Sequence, residues 1–596
     1  MDKQTTLGFI LIGLVMLVWM WFQTPAPQPA KPSGRDTVAA KVRENPPPHV
    51  ASDMQAAPAQ GTPGPADMGR FFAQRAAGAE KILIVETDLY RAEISSRGGA
   101  IRSWVLKKYL TWDMRPVDLV VQGKGGDFGV LFTSADGRLI NTRELFFDAA
   151  FSNSRTVTLS GEESYEVVLT LPTENGGSLV KALKFTNGSY AVQAGLKFVN
   201  LSGVVSNFEY QVVWEHGLPN AEYNSTDESS FALAYASSGG ELAELDAKVG
   251  EPVKSDLNGS TDWVAARNKY FGVVMMADPG KSQGAYLEGV AEHRPNNGIQ
   301  EIYTLALKMP LKGAPSESAA LTLYLGPLEY DIIKSYGRGL TGMMNLGAAW
   351  IIRPISEYVM IPLFKFLRMF IPNYGIIIIV FSIIIKIALT PLTKTSMRSM
   401  RKMQALTPMM NEIREKYKDD PQKMNQQVMN LYKEYGVNPA SGCLPLLLQM
   451  PILFALYAVF RSSIELRQAH FVWWITDLSI PDSIVDLPMT IPFFGISSLS
   501  GVALAMGVTM FIQQKMSVTD PRQKAMIYMM PVLMTLLFNG FPSGLNLYYF
   551  VFNVLSIGQQ MIFNRQHAEE PLRKVEVKKS GGGFLGKITK DLPKLK

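Results

Sequence analysis

Residues 374–392 read Tyr-Gly-Ile-Ile-Ile-Ile-Val-Phe-Ser-Ile-Ile-Ile-Lys-Ile-Ala-Leu-Thr-Pro-Leu. The run carries a single charge and has the length a helix needs to cross roughly 30 Å of hydrocarbon. Ser382, Lys386 and Thr390 stand four apart and so share one helix face. A lysine there is costly unless it meets water or a partner. Two readings fit. In one, Lys386 snorkels toward Lys394, eight residues or about 12 Å away along a helix. In the other, it is the fixed charge of an intramembrane cavity.

Four more apolar runs of spanning length follow: Cys443–Phe460, Ile491–Phe511, Ala525–Phe541 and Leu545–Phe563. None of the five contains Asp or Glu. In the last run Asn546, Tyr549, Asn553, Ser556 and Gln560 recur at steps of 3, 4, 3 and 4, a polar stripe down one side of a membrane helix. Gln449 adds an amide to the second run. Such faces either line a water-filled cavity or hydrogen-bond helix to helix.

The short loops set the orientation. Residues 393–440 carry nine Lys/Arg, 512–524 three, and the tail from Arg565 nine, against few on the opposite side, Arg467 among them. Basic loops stay cytoplasmic. This places 393–440, 512–524 and the tail in the cytoplasm, and the large domain before residue 374 outside it. Residues 393–440 read as a helical hairpin. A basic helix runs from about Lys394 to Lys418, and Asp420 caps a second helix with Pro421 at its first position. Gly436 ends that helix, with Pro439 soon after. Its recurrent methionines, such as Met403, Met410 and Met424, suit an adaptable surface that meets many apolar sequences or the seam between the two helices.

Toward the N-terminus, Leu7–Phe22 is a short apolar run with Trp19, Trp21 and Phe22 at its end, followed by Pro25, Pro27 and Pro29. It reads as an uncleaved anchor with an interfacial aromatic belt. Ten prolines between Pro25 and Pro65 mark an extended tether. Segments such as Lys81–Glu86, Thr156–Ser160, Tyr165–Leu171, Val192–Val199 and Leu321–Leu325 are short and β-branched or alternating, the pattern of an all-β sandwich. Between Met344 and Pro372, Arg353, Glu357, Lys365 and Arg368 recur among Trp350, Ile351, Ile355 and Phe366, which suits an amphipathic helix lying in the bilayer interface. The expected organisation is an anchor at 1–23, a linker at 24–78, a β domain at 79–335 and an interfacial helix at 336–372. A five-span core at 373–565 and a basic tail at 566–596 complete it.

One cysteine, Cys443, and five histidines exclude a disulfide framework and offer no metal cluster. No Walker-type loop is present, and no cofactor is expected.

At two places the sequence resembles a known family. Asn438-Pro-Ala-Ser-Gly-Cys-Leu-Pro-Leu-Leu-Leu-Gln-Met-Pro-Ile-Leu-Phe-Ala-Leu-Tyr457 is similar to the third-span signature of YidC-family insertases. Phe541-Pro-Ser-Gly-Leu-Asn-Leu-Tyr-Tyr549 is similar to the start of their final span. Anchor, large β domain, basic hairpin and basic tail follow the order of Gram-negative members. The resemblance implies a multi-domain membrane protein: a five-helix core, an N-terminal anchor and a mutarotase-like periplasmic β-sandwich. It also implies a hydrophilic groove open to cytoplasm and lipid. The groove positions carry over as Ser382, Lys386, Gln449, Tyr548 and Tyr549, and the stripe adds Asn546 and Asn553. Where the family often has arginine, this chain has Lys386, which lacks the planar bidentate fork. The implied partners are nascent membrane proteins, the lipid bilayer, ribosomes through the cytoplasmic loops and tail, and a Sec-type translocon.

Two other classes compete. A channel or solute transporter would also explain an intramembrane lysine, but the chain shows neither acidic coupling residues in the spans nor paired halves. An anchored periplasmic carbohydrate-binding or processing protein would put function on the β domain, with Glu215-His216 as an acid/base pair. Adjacent strand residues, however, face opposite ways.

Overall fold

The computed structural model describes residues 68–295, 298–437, 444–491, 496–517, 524–566 and 574. The expected anchor, most of the linker, Cys443 and nearly all of the tail lie outside these residues. The chain falls into two compact units, one built on Lys394–Gly442 and one on Gln60–Thr393 with Cys443–Gln566.

Alternating sequence becomes strand where one face can be buried. Ser178–Thr186 alternates half-exposed and buried positions along most of its length, and Ala191–Val199 does the same. They pair antiparallel from Ser178↔Val199 to Phe185↔Val192 inside a nine-stranded sheet. A seven-stranded sheet is centred on Gly284–Arg294, Gly298–Pro310 and Glu209–Trp214, and a five-stranded sheet contains Ile82–Glu86. Strands Ile82–Glu86, Arg155–Thr158, Ser164–Pro172, Ala191–Val199 and Ser316–Pro327 occupy the expected segments.

The β core is aromatic. Tyr90 stacks on Trp104 with centroids 3.8 Å apart, and the fully buried Trp214 donates through Nε1 to the Gly217 carbonyl at 2.8 Å. Gly217 has φ +58°, and a Cβ there would strike the Tyr303 backbone, so glycine is required. Lys181, also fully buried, donates to the carbonyls of Gly98 (2.9 Å) and Phe128 (2.8 Å). It thereby ties the nine-stranded sheet to turns beside the other two.

Helix α1 (Ser225–Ser229) is capped by the Asn224 side chain and follows the seven-stranded sheet's strand Glu209–Trp214. After α2 (Tyr330–Ser335), the expected interfacial segment holds one unbroken helical stretch from Ile352 to Arg368. A turn at Ile352–Ile355 and a π-helical turn at Ser356–Met360 precede α3 (Ile361–Arg368). Pro354 and Pro362, which cannot donate back along the helix, flank the π-helical turn. Trp350, Tyr358, Phe366, Met369 and Phe370 are all more than half exposed, so this stretch keeps an apolar outer face.

Helix α4 (Tyr374–Ala405) runs through Pro391 and well past the expected end at Leu392. Its Tyr374–Pro391 segment, with a mean hydropathy of 2.2, is long and apolar enough to cross a membrane. The hairpin unit continues with α5 (Thr407–Lys416) and α6 (Pro421–Glu434). Asp420 accepts from the Lys423 N–H at 3.1 Å with Pro421 at the first turn, and Gly436 takes φ +62°. Met410 and Met424 are buried, whereas Met409 and Met429 are exposed.

The remaining helices are α7 (Leu444–Ser462), α8 (Gly501–Ser517), α9 (Lys524–Phe538) and α10 (Ser543–Gln566). The expected run Ile491–Phe511 is corrected. Val485–Ile491 pairs with Ile496–Leu499 as a hairpin, and the helix begins only at Gly501. The β-branched Thr490, Ile491 and Ile496 suit the strand pair, and the Ser500 hydroxyl, accepting from the Ala503 N–H at 3.0 Å, marks the start of the helix. At Gly507 an added Cβ would meet Thr535 Oγ1, so the missing side chain lets α8 and α9 approach closely.

Candidate functional site

Lys386 sits on α4 where α4 faces α10. It is 8% exposed and donates from Nζ to Ser556 Oγ at 2.6 Å, with the Phe552 ring centroid 4.6 Å away. Ser556 Oγ in turn donates to the Phe552 carbonyl at 2.7 Å. The ammonium is therefore held by one hydroxyl oxygen and one π face. No carboxylate pairs with it among the described residues. Ser382 and Thr390, one turn to either side, spend their hydroxyls on the α4 carbonyls of Ile378 (2.7 Å) and Lys386 (2.8 Å).

The α10 stripe is buried, and most of it bonds outward. Asn553 Nδ2 reaches Thr509 Oγ1 at 3.4 Å, and Gln560 Nε2 reaches the Met516 carbonyl at 3.2 Å, both on α8. Asn546 Nδ2 donates to the Phe538 carbonyl at 3.0 Å. Among the described residues, four buried polar atoms in this region have no protein partner: Asn546 Oδ1, Tyr548 Oη, Gln514 Oε1 and Gln559 Oε1. Atoms of this kind are normally satisfied by water. The seam is thus stitched between helices at some positions and short of partners at others.

Of the expected groove residues, Lys386, Tyr548 and Tyr549 share one contiguous cluster. Tyr548 lies 5.8 Å from Phe552, 6.1 Å from Phe381 and 5.4 Å from Tyr549, centroid to centroid, with Ser382 next to Phe381 in the chain. Gln449, on α7, is half-buried, and no contact joins it to Lys386 among the described residues. Phe552 and Thr509 belong to the site but were not expected. Phe552 sits four residues before Ser556, which is the signal that could have found it.

One end of the helix group is closed by a capping network. Asp482 accepts from Ser500 Oγ (2.5 Å), Trp474 Nε1 (2.9 Å) and the Val502 N–H (3.1 Å). A carboxylate at the first turn of α8 meets the unpaired N–H groups and the helix dipole. Asn539 accepts from the Ser500 N–H at 2.9 Å and donates to the Ser498 carbonyl at 2.8 Å. Ser543 Oγ donates to the Asp477 carbonyl at 2.8 Å, which fastens the Asp477 turn to the start of α10.

Glu215 and His216 do not act as a pair. Glu215 engages Asn141 and Arg143, while His216 Nδ1 lies 3.1 Å from the buried Asp127.

Comparison with known proteins bears on the whole chain. Residues 366–570 match the family described as the 60Kd inner membrane protein, and 83–357 match the YidC periplasmic domain. A membrane protein insertase YidC of Chlorobium luteolum is 40% identical over 98% of this chain and 100% of its own length. The chain belongs to the YidC family of membrane protein insertases. A YidC of Chlorobaculum parvum is 39% identical, covering 96% of each chain. The crystal structure of an active YidC insertase is 20% identical, with a TM-score of 0.35, over 81% of this chain and 93% of that one. YidC proteins are insertases, not enzymes, and the β domain here is the family's periplasmic domain.

Proposed function

We propose that client segments reach the bilayer through the seam between α4 and α10, with Lys386 as its fixed positive charge. The observation that carries this reading is the buried ammonium, held among the described residues by Ser556 and the Phe552 ring alone. Dragging a client's polar tail through hydrocarbon is costly. A partly hydrated seam shortens that path, and the positive charge attracts acidic tail residues. The apolar segment then leaves past Tyr548 and Tyr549 into lipid, driven by burial of about 20 apolar residues. Asn546 and Asn553 help hold water along α10, and Ser382 and Gln449 border the path. No nucleotide is consumed.

In this reading α4 and α7–α10 span the inner membrane. The hairpin, the 512–524 loop and both termini are cytoplasmic, and the network at Asp482 closes the periplasmic end. The basic hairpin and tail meet ribosomes through their phosphates, and a Sec-type translocon takes part for some clients. The mutarotase-like sheet supplies no chemistry, because function lives in sites and not in folds.

Photocrosslinking tests the path. A benzoylphenylalanine at Tyr549 or Gln449 should capture stalled nascent membrane proteins. Crosslinks only from the exposed Val508 and Val532, and none from these two positions, would place clients on the outer face of the bundle instead.

A further inference from the structure

The β domain is fastened to the helices at two points. Asp227 of α1 pairs with Lys269 at 2.9 Å and with Arg461, in the last turn of α7. Glu222 pairs with Arg467 at 2.5 Å, and Arg467 is almost completely buried. Beside it, Gln468 Nε2 donates to the carbonyls of Leu110 (3.1 Å) and Thr111 (3.2 Å). The chain that follows lies against the start of α4. Asn373 Nδ2 donates to the His470 carbonyl at 3.3 Å, and Gly375 leaves room for the Phe471 ring, which a Cβ would strike. These bonds set the turn 110–116 and the loop 220–224 level with the beginning of α4 and the end of α7.

At that level the β domain exposes large apolar side chains. Trp112 is 54% exposed, Met114 67% and Tyr223 80%, and the Trp112 and Tyr223 rings meet edge to face at 5.1 Å. The Trp112 N–H donates to the Ala221 carbonyl at 3.1 Å, joining the two loops. The same tier of the helical region carries Trp473 (82% exposed) and Trp474, which lie on a loop and not in a span.

Indole and phenol rings are favoured where an apolar body meets lipid and a polar tip stays wet. Exposed aromatics on a soluble domain need a partner. We infer that Trp112, Met114 and Tyr223 form a membrane-contact tip, by which the β domain dips into the headgroup–acyl boundary of the outer leaflet. This rests on the proposed orientation, in which the start of α4 and the end of α7 are periplasmic. Lipid is favoured over a protein partner because the ion pairs hold the tip at the membrane surface. Arg115 and Asp113, adjacent in the same turn, pair with each other and leave no net charge to select a protein partner.

The test uses the full chain with Cys443→Ser, in phosphatidylethanolamine–phosphatidylglycerol vesicles with or without lipid carrying a doxyl group near the headgroup. A nitrobenzoxadiazole label is placed at Met114→Cys or, as a membrane-level reference, at Trp473→Cys. Quenching at 114 within about twofold of that at 473 is the expected result. Quenching at 473 with none at 114 overturns the inference and leaves the orientation standing. Absence of quenching at both overturns the orientation together with the tip. A label at 114 that is unquenched in vesicles but shielded from an aqueous quencher in native membranes assigns the tip to a protein partner, and that too overturns the inference.

Discussion

The Lys386 ammonium and the Ser556 hydroxyl, 170 residues apart in sequence, lie 2.6 Å apart between α4 and α10. A buried cation with one hydroxyl acceptor is poorly compensated, so each partner depends on the other. Ser556→Val should lower stability by about 1–3 kcal/mol, because the ammonium loses its acceptor. Ser556→Thr should keep most of it. In a Lys386→Met background the cost of Ser556→Val should largely vanish, a coupling read by thermal unfolding of the purified variants in detergent. Additive losses would separate the two side chains.

Lys181 carries the corresponding load in the β domain. Lys181→Met keeps much of the volume but leaves the Gly98 and Phe128 carbonyls without their donor. The β domain should lose about 3 kcal/mol, seen as a lower unfolding temperature with an unchanged sheet signature by circular dichroism.

Asp227, in the docking ion pairs, and its neighbour Glu228 should give pH responses of opposite sign. Burial raises the Asp227 carboxyl, but Lys269 and Arg461 more than offset it and hold it below the ordinary range. Its contribution is therefore present above about pH 4, the ordinary carboxylate value, and is lost as pH falls through the lower folded value. Burial pushes Glu228 up to about 7 against the pull of the Ala221 and Glu222 N–H groups. Its contribution is greatest below its ordinary 4.5 and is lost as pH rises through about 7. Asp227→Asn should flatten the acid limb of a stability–pH profile and cost about 1–2 kcal/mol at neutral pH, allowing for its partial exposure. Glu228→Gln should flatten the interval between pH 4.5 and 7. Unaltered limbs in the two variants would mean that neither group titrates on unfolding.

The strands and α4 were legible because burial leaves a pattern: a period of two in Val192–Val199, a long apolar run in Tyr374–Pro391. The Asp420–Pro421 cap was legible because capping is local. The start of α8 was misplaced because apolar β-branched residues after Leu487 suit strand and helix alike, and only the pairing of Val485–Ile491 with Ile496–Leu499 decides between them. The Asn546–Gln560 stripe showed its face but not its partners, since Thr509 and Met516 meet it only through packing. The Asp227–Arg461 contact links residues 234 apart and leaves no local trace in the sequence.

Lys386→Arg and Lys386→Ala, assayed with paired clients that differ only in the charge of the translocated tail, test the role of the seam most directly. A nearby charge in a partly hydrated seam contributes about 1–4 kcal/mol at 4 Å. The measurement is protease protection of the inserted tail in vesicles holding the full-length protein. Arg should retain most insertion of both clients. Ala should insert the acidic-tailed client several-fold less well than its neutral twin. Equal insertion of both clients by wild type, Arg and Ala would contradict a role for the charge and leave Lys386 a structural residue bonded to Ser556.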